Sequence, residues 1–226
     1  MENNMENNEL NEIKNQLETT QKKLDQAYME SIETLRYTVD AKDSYTKGHS
    51  ERVSEYAVLL GKKLQINSDE LYTLRIGGLF HDIGKIGITD NILSKTDKLT
   101  DSEYEEIKKH PLIGTQILSK ASIFSDILPI VKYHHERYDG TGYPDKLKGE
   151  EIPYLARIVS VADAFDAMAS RRPYRDTVEI KKIVDEITIN KNKQFDPKIA
   201  DALLDIIKNN YSALEEIQLR YKVDNN

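Results

Sequence analysis

A histidine and an aspartate stand side by side at His81-Asp82, directly after an apolar run that ends at Phe80, and Lys85 follows three residues after the aspartate. Imidazole nitrogen and carboxylate oxygen are ligands that suit zinc, manganese and iron, and one carboxylate can bridge two ions. A lysine at this spacing can neutralise a phosphate oxygen, and on a continuing helical turn it faces the same cavity as the aspartate. Taken alone, the pair is more typical of a capped helix end or a surface turn than of a metal site.

The chain contains five histidines, and none of them lies in a polar tail: His49, His81, His110, His134 and His135. Each stands next to a helix end, a loop or an apolar stripe, and singly each has a structural explanation such as a favourable position at a helix terminus. Asp163 lies in a largely apolar segment, residues 158–165, which predicts a buried carboxylate. A buried carboxylate needs a positive partner or a metal ion.

An apolar stripe with heptad spacing marks the first part of the chain: Leu10, Ile13, Leu17, Thr20, Leu24, Ala27 and Ser31. This spacing predicts a helix, although the small and polar members of the stripe make its seam weak. Two interpretations remain open. The helix is solvated and packs on its own domain, or it is a short coiled coil that pairs two chains or connects a sensor domain to this one.

Helix-start signals recur through the rest of the chain. Asn67 or Ser68 can cap one helix, the segment Thr100–Glu103 has the pattern of a capping box, and Asp196-Pro197 combines a cap with proline at the first helical position. We find no alternating run that is long enough to predict a sheet. The body of the chain is therefore predicted to be all-α.

The chemistry-bearing residues are expected at the ends of these helices. Pro111 should end or kink the helix that carries His110 at its end, while His134-His135 should lie within a further helix. We divide the chain into an N-terminal helical or coiled-coil segment, residues 1–36, and an all-α helical bundle, residues 37–226.

Composition limits the classes of function. The chain has 226 residues, a formal net charge of −7 and no cysteine, so neither a disulfide framework nor a zinc ribbon is expected. The negative charge argues against a broad nucleic-acid-binding face, and a small anionic ligand would need local cations such as metal ions. No apolar run approaches the ~20 residues of a membrane span, and the polar N-terminus does not resemble a secretory signal. We expect a cytoplasmic protein.

Several blocks of the sequence, in this order, resemble those of an HD-GYP domain, the bacterial branch of the HD-domain metal phosphohydrolases. The matching segments are Tyr45–Val53, His81–Ile88, His134–Pro144 with its Gly-Tyr-Pro triplet, Ile152-Pro153, Ala156–Met168 and Arg172–Tyr174. They cover the chain from about Leu35 to Leu204. The resemblance implies an HD-domain helical bundle as the fold of residues 37–226.

The resemblance also implies two metal ions. One ion would take His49, His81, Asp82 and Asp163, and the second would share Asp82 and add His110, His134 and His135. Because each ion then has about four protein ligands, tetrahedral zinc would keep no open position, whereas iron or manganese would. Some members of the family hold a third ion with a glutamate at the position of Tyr45, so we predict two ions here.

Members of the family hydrolyse cyclic di-GMP to the linear dinucleotide pGpG and in some cases to GMP. The resemblance implies that two metal ions activate a bridging hydroxide, with Asp82 and Lys85 as the catalytic residues. Lys85, Tyr143, Arg172 and Arg175 match the residues that hold the substrate, since a tyrosine ring can stack on guanine and arginine can fork onto phosphate.

Other functions are compatible with the same residues. The domain could bind a cyclic dinucleotide with little turnover, or hydrolyse cyclic GMP-AMP. An oxygenase with a mixed-valent iron pair is disfavoured by the Gly-Tyr-Pro block. The expected partners are a cyclic dinucleotide but no nucleic acid polymer, a second copy through the N-terminal helix, and signalling proteins.

Overall fold

The computed structural model describes residues 2–42, 48–170 and 179–221, and most of these residues are helical. No β-strand occurs in the described ranges, where the only sheet-like feature is an isolated bridge between Lys191 and Phe195. The prediction of an all-α protein is therefore confirmed. None of the helices in the described part is long and apolar enough to cross a membrane.

The chain divides into two compact units between Thr38 and Val39. Helix α1 runs from Glu2 to Lys42. Four large apolar side chains of its heptad stripe are exposed to solvent, between 52% and 67%: Leu10, Ile13, Leu17 and Leu24. The hydroxyl groups of Thr20 and Ser31 donate to backbone carbonyls one turn earlier, which lets these polar residues lie on the stripe. The choice between a solvated helix and a coiled coil stays a prediction, as does the domain boundary after residue 36.

The second unit contains helices α2 to α11. Their bounds are α2 His49–Lys63, α3 Ser68–Phe80, α4 Asp90–Leu93, α5 Asp101–Ile107, α6 His110–Leu118, α7 Leu128–Tyr133, α8 Tyr154–Ala169, α9 Ile180–Ile189, α10 Pro197–Asn209 and α11 Tyr211–Arg220. Three short 3-10 helices lie between them, at Ile83–Gly87, Ser122–Ile127 and Gly149–Glu151.

The predicted helix caps are present. The Asn67 side chain accepts a hydrogen bond from the backbone N–H of Glu70 at 2.9 Å, and the Asp196 carboxylate accepts one from Lys198 at 2.8 Å. Thr100 and Glu103 form a reciprocal capping box. These caps satisfy backbone donors that have no partner within the helix.

The core of this unit is built on α2, α3 and α8, with α10 and α11 packed against them. Tyr56 of α2 and Phe165 of α8 meet edge to face with ring centroids 5.0 Å apart, and both are buried. A Cβ atom on Gly78 would lie 2.7 Å from the Cα atom of Ser54, so this glycine allows α3 to approach α2 closely. The tight packing of these three helices fixes the N-terminus of α2 and the C-terminus of α3, where His49 and His81 lie.

Two predictions about local structure are wrong. His110 does not end a helix but begins α6, because Pro111 needs no N–H partner and fits the first helical turn. His134-His135 do not lie inside a helix, because α7 ends at Tyr133 and His134 is its C-terminal cap. Both histidine positions are therefore helix ends, where a side chain can point into a cavity between helices.

Candidate metal centre

Seven histidine and aspartate side chains converge from five places in the sequence. They form two groups, in each of which the ligand atoms lie within 4.8 Å of one another: Asp82, His110, His134 and His135 in one, and His49, His81 and Asp163 in the other. All seven are residues that the sequence singles out as metal ligands. The two groups meet at Asp82.

The two carboxylate oxygens of Asp82 face different groups. Its Oδ1 lies 3.2 Å from Nε2 of His110 and 3.8 Å from Nε2 of His134. Its Oδ2 lies 3.4 Å from Nε2 of His81 and 3.9 Å from Nε2 of His49. This is the arrangement that a carboxylate needs to bridge two cations.

Three of the histidines are oriented by the same kind of hydrogen bond to the backbone. In each, Nδ1 lies within hydrogen-bond distance of the backbone carbonyl three residues earlier: His81 to Gly78 at 2.8 Å, His110 to Ile107 at 2.7 Å and His134 to Val131 at 2.9 Å. A carbonyl only accepts, so Nδ1 carries the proton, and Nε2 of the neutral ring presents a lone pair. Such outer contacts are typical of histidines that bind metal ions.

The inward-facing nitrogens lack the partner that they require. The Nε2 atoms of His110 and His134 lie 3.3 Å apart, although neither can donate to the other when both rings are neutral. Burial, together with the neighbouring histidines, lowers the pKa of His134 well below its usual value, so this ring is neutral. The buried Nε2 of His81 has no hydrogen-bond partner. A divalent metal ion fits this donor set, because it satisfies lone pairs that no described group can.

His49 lies between two carboxylates. Its Nε2 is 3.3 Å from Oδ1 of Asp163 and its Nδ1 is 2.7 Å from Oδ2 of Asp166. Burial alone would lower the pKa of His49, but the hydrogen bonds to Asp163 and Asp166 outweigh it and raise the pKa to about 9. Asp163 itself is less buried than predicted, with 21% of its side chain exposed, because it faces the cavity.

Asp166 is a functional candidate that the sequence reasoning missed. Its buried carboxylate accepts hydrogen bonds from Nε and Nη2 of Arg52, at 2.7 and 3.0 Å, and from the Ser170 hydroxyl at 3.0 Å. A usable signal was present in the spacing, since Asp163 and Asp166 are three residues apart on α8, as are His49 and Arg52 on α2. Residues at this spacing share a helix face.

The carboxylates of the centre remain ionised. Burial would raise the pKa of Asp82, but the ammonium group of Lys85, whose Nζ lies 2.7 Å from Oδ2, contributes to holding that pKa well below its usual range. Burial opposes ionisation of Asp163 and Asp166 as well, and in both the hydrogen bond to His49 contributes to a lowered pKa. The carboxylates are therefore anionic, which is the form that binds cations.

The Gly-Tyr-Pro loop closes one side of the centre. The Tyr143 ring stacks on the His135 ring with centroids 4.9 Å apart and planes at 29°, and burial contributes to lowering the pKa of His135 to about 3. Glu136, a second residue missed from the sequence, accepts a hydrogen bond from the backbone N–H of Asp145 at 2.7 Å and so ties the loop to the end of α7. Glu136 is buried, with 2% of its surface exposed.

A cavity of about 580 Å³ opens onto the centre. Lys85, Tyr143 and Asp163 are among its lining residues. A cavity of this size is in the range that binds small organic ligands. Arg172 and Arg175, which the sequence assigns to substrate binding, lie outside the described residues, and so does Tyr45, the position used to predict two ions and not three.

Comparison with known proteins gives the family context. The HD domain family matches residues 33–199. The 3′3′-cGAMP-specific phosphodiesterase 3 of Vibrio cholerae is 40% identical over 195 residues, which cover 84% of this chain and 42% of the relative. The cyclic di-GMP phosphodiesterase response regulator RpfG of Xanthomonas campestris is 39% identical over 177 residues, covering 77% and 47% of the two chains. A cyclic di-GMP phosphodiesterase of Thermotoga maritima is 39% identical over 183 residues, covering 79% and 49%. The chain thus spans about half the length of the curated relatives it matches.

Solved structures show the same fold. An HDGYP protein of Bdellovibrio bacteriovorus, Bd1817, superposes with a TM-score of 0.61 at 24% sequence identity, covering 78% of this chain and 64% of the other. The HD domain of the phosphodiesterase PgpH of Listeria monocytogenes, in complex with cyclic di-AMP, superposes with a TM-score of 0.57 at 18% identity, covering 85% and 99%.

Proposed function

Since this chain belongs to the HD domain family, and within it to the HD-GYP proteins, we propose that it is a metal-dependent phosphodiesterase that hydrolyses the bacterial second messenger cyclic di-GMP to linear pGpG. The observation that carries the proposal is the position of Asp82. Its two oxygens face two separate sets of histidines, and Asp82 lines a cavity of about 580 Å³. This arrangement suits a pair of cations and an anionic substrate.

The residues would hold the two ions as follows: His49, His81, Asp82 and Asp163 for one, and Asp82, His110, His134 and His135 for the other. Iron or manganese suits four protein donors with open positions better than tetrahedral zinc does. When bound, two such ions supply Lewis acidity toward a phosphodiester and favour the ionisation of water at neutral pH.

The chain's own residues bind and orient the substrate. Lys85 lines the cavity beside Asp82, where its ammonium group can pair with a phosphate oxygen and stabilise charge that develops there. The Tyr143 ring, placed against His135, offers a planar surface for a guanine base. Arg172 and Arg175 complete the proposed substrate-binding set.

A second candidate substrate is cyclic GMP-AMP. The specific observation in its favour is that a relative named for this substrate is 40% identical, while relatives named for cyclic di-GMP are 39% identical. Both substrates carry two bases on a ring of two phosphodiesters, so the metal centre would treat them alike. Selection between them depends on contacts to the bases.

The test is a paired assay. The protein is purified anaerobically, its iron and manganese are measured, and the metal-loaded form is incubated with cyclic di-GMP and with cyclic GMP-AMP while linear products are followed by chromatography. We expect pGpG from cyclic di-GMP, and no product from a chelator-treated sample or from Asp82→Ala. Metal-loaded protein that yields no linear product from either substrate would refute the phosphodiesterase assignment, and product from cyclic GMP-AMP alone would replace the substrate.

The exposed stripe of α1 suggests how the domain associates. We propose that two chains pair through this stripe as a short coiled coil, since four large apolar side chains at heptad spacing are exposed to solvent on it. Leu17→Glu should convert a dimer to a monomer in light scattering, and Lys22→Glu, an exposed α1 position outside the stripe, should not. We further propose that the domain acts in the cytoplasm, with signalling proteins as its further partners.

A further inference from the structure

The wall of the cavity extends beyond the Gly-Tyr-Pro loop to the end of α4, the loop that follows it, and α5. Leu93, Leu99 and Tyr104 all line it. Tyr104 is 49% exposed, although aromatic rings stabilise a fold most when they are buried. An exposed ring that lines a ligand cavity is available for stacking.

Tyr104 and Tyr143 are linked by a lysine. Nζ of Lys108 lies 5.3 Å from the centroid of the Tyr104 ring and 5.9 Å from that of the Tyr143 ring. Both distances are in the range of cation–π attraction. Lys108 also forms an ion pair with Glu105 on the same helix face, which limits where its ammonium group can move.

These contacts form a continuous series that begins at a proposed metal ligand. The Tyr143 ring stacks on His135, the ammonium group of Lys108 lies near the Tyr143 ring, and the same ammonium group lies near the Tyr104 ring. Tyr104 contributes to raising the pKa of Tyr143, after the larger effect of burial, in agreement with the proximity of the two rings. One face of the Tyr143 ring is used by His135.

We propose that Tyr104 is a second base-binding residue, which stacks on the base of a cyclic dinucleotide that Tyr143 does not hold, and that Lys108 positions the two tyrosine rings. This inference rests on the proposed function. A cyclic dinucleotide carries two bases on one compact ring, so a site that holds both of them needs two planar surfaces. Base stacking on an aromatic side chain is worth about 1–3 kcal/mol and tolerates any base.

The decisive experiment compares a large substrate with a small one. Tyr104→Ala is assayed with cyclic di-GMP and with bis(p-nitrophenyl) phosphate, a phosphodiester too small to occupy both surfaces. We expect kcat/KM for cyclic di-GMP to fall about five- to hundredfold through KM, which corresponds to the loss of one stacked base. Hydrolysis of the small phosphodiester and the metal content should stay unchanged. Tyr104→Phe, which keeps the ring, should retain wild-type KM.

Tyr72 provides a control for the removal of an exposed tyrosine. It lies on α3, is 46% exposed and is not among the residues that line the cavity, so Tyr72→Ala should leave both activities unchanged. We also expect Tyr104→Ala to lower kcat/KM by the same factor for cyclic di-GMP and for cyclic GMP-AMP, because stacking does not distinguish the bases.

Lys108 has a matched neighbour. Lys108 and Lys109 each pair with a glutamate three residues earlier, but only Lys108 lies over tyrosine rings. Lys108→Met should raise KM for cyclic di-GMP several-fold, and Lys109→Met should not.

The outcomes separate this inference from the proposed function. If the wild type hydrolyses cyclic di-GMP and Tyr104→Ala does so with the same KM, the second base site is refuted and the proposed function stands. If Tyr104→Ala loses activity on both phosphodiesters equally, Tyr104 acts through the metal centre and the inference is also refuted. If the wild type cleaves only the small phosphodiester, the proposed function and this inference fail together.

Discussion

The Nδ1 atom of His49 lies 2.7 Å from Oδ2 of Asp166, although 117 positions separate the two residues in the chain. The same carboxylate receives two hydrogen bonds from the Arg52 guanidinium, one helical turn after His49. Asp166 thus fixes the imidazole from behind and turns its Nε2 toward Asp163 and Asp82. Partners of this kind orient metal ligands and raise their basicity.

We predict that Asp166→Asn lowers the affinity for the ion at His49 by about 10- to 100-fold, the usual effect of losing such a partner. Chelator competition with manganese would measure this change. Because Arg52 would be left without its ionised partner in a buried position, we also expect a loss of stability of up to about 3 kcal/mol.

Asp185→Asn provides the control, since it removes a carboxylate from an exposed position on α9. Thermal unfolding of both variants separates the two effects. A stable Asp166→Asn protein that binds two ions with wild-type affinity would contradict the positioning role.

Asp82→Ala should lose both metal ions and all activity. Each of its oxygens faces a different set of histidines, so its removal opens both sets and leaves the Lys85 ammonium group without its carboxylate. Elemental analysis of the purified variant gives the count directly. His81→Ala, which affects only one set, should retain about one ion. Two retained ions in Asp82→Ala would show that the carboxylate does not bridge.

All seven proposed metal ligands could be named from the sequence, because the resemblance to the HD-GYP domains assigns them, whereas the residue pattern alone only marks the five histidines, Asp82 and Asp163 as candidates. The pattern of apolar residues predicts the helix ends less well. It predicts that His110 ends one helix, whereas His110 begins α6, because a proline that breaks one helix can also begin the next.

Other parts of the site depend on tertiary contacts that local patterns do not carry. Asp166 and Glu136 look like ordinary charged residues until the fold buries them, at 1% and 2% exposure. The sequence indicates only that Tyr104 is a surface residue of a helix, and the position of the Gly-Tyr-Pro loop in the fold brings Tyr143 near it. Long-range contacts of this kind determine the shape of the cavity. The sequence shows which residues can bind a metal ion, but it does not show which other residues surround them.

Gly84→Ala should disrupt the centre through the backbone. A Cβ atom at this position would lie 1.8 Å from the carbonyl oxygen of His110 and 2.5 Å from the nitrogen of Gly114, so the turn after Asp82 would have to move away from α6. We expect a destabilisation of about 3 kcal/mol or more, at the upper end of the usual cost of overpacking because the added atom meets backbone, with loss of the ion near His110.

Gly149→Ala tests whether the loss of stability in Gly84→Ala comes from the steric clash of the added Cβ atom or from replacing a glycine as such. Gly149 has a φ of +60°, but nothing lies within 4 Å of its added Cβ atom, so this variant should lose only about 1–2 kcal/mol and keep both ions. Chemical denaturation and elemental analysis of the two variants together give the comparison. Equal losses in both would refute the steric explanation for Gly84.

Tyr143→Ala should weaken substrate use while both ions remain bound. The ring stacks on His135 without supplying a ligand atom, so its removal takes away a base-binding surface and leaves the imidazole in place. We expect kcat/KM for cyclic di-GMP to fall about five- to hundredfold, measured by product chromatography, with unchanged metal content and unchanged hydrolysis of bis(p-nitrophenyl) phosphate. The backbone N–H of Tyr143 donates to the His135 carbonyl at 3.3 Å and is retained in the variant, which keeps the loop beside the metal centre. Loss of an ion from Tyr143→Ala would therefore mean that the ring, rather than the backbone of the loop, holds His135 in its ligand position.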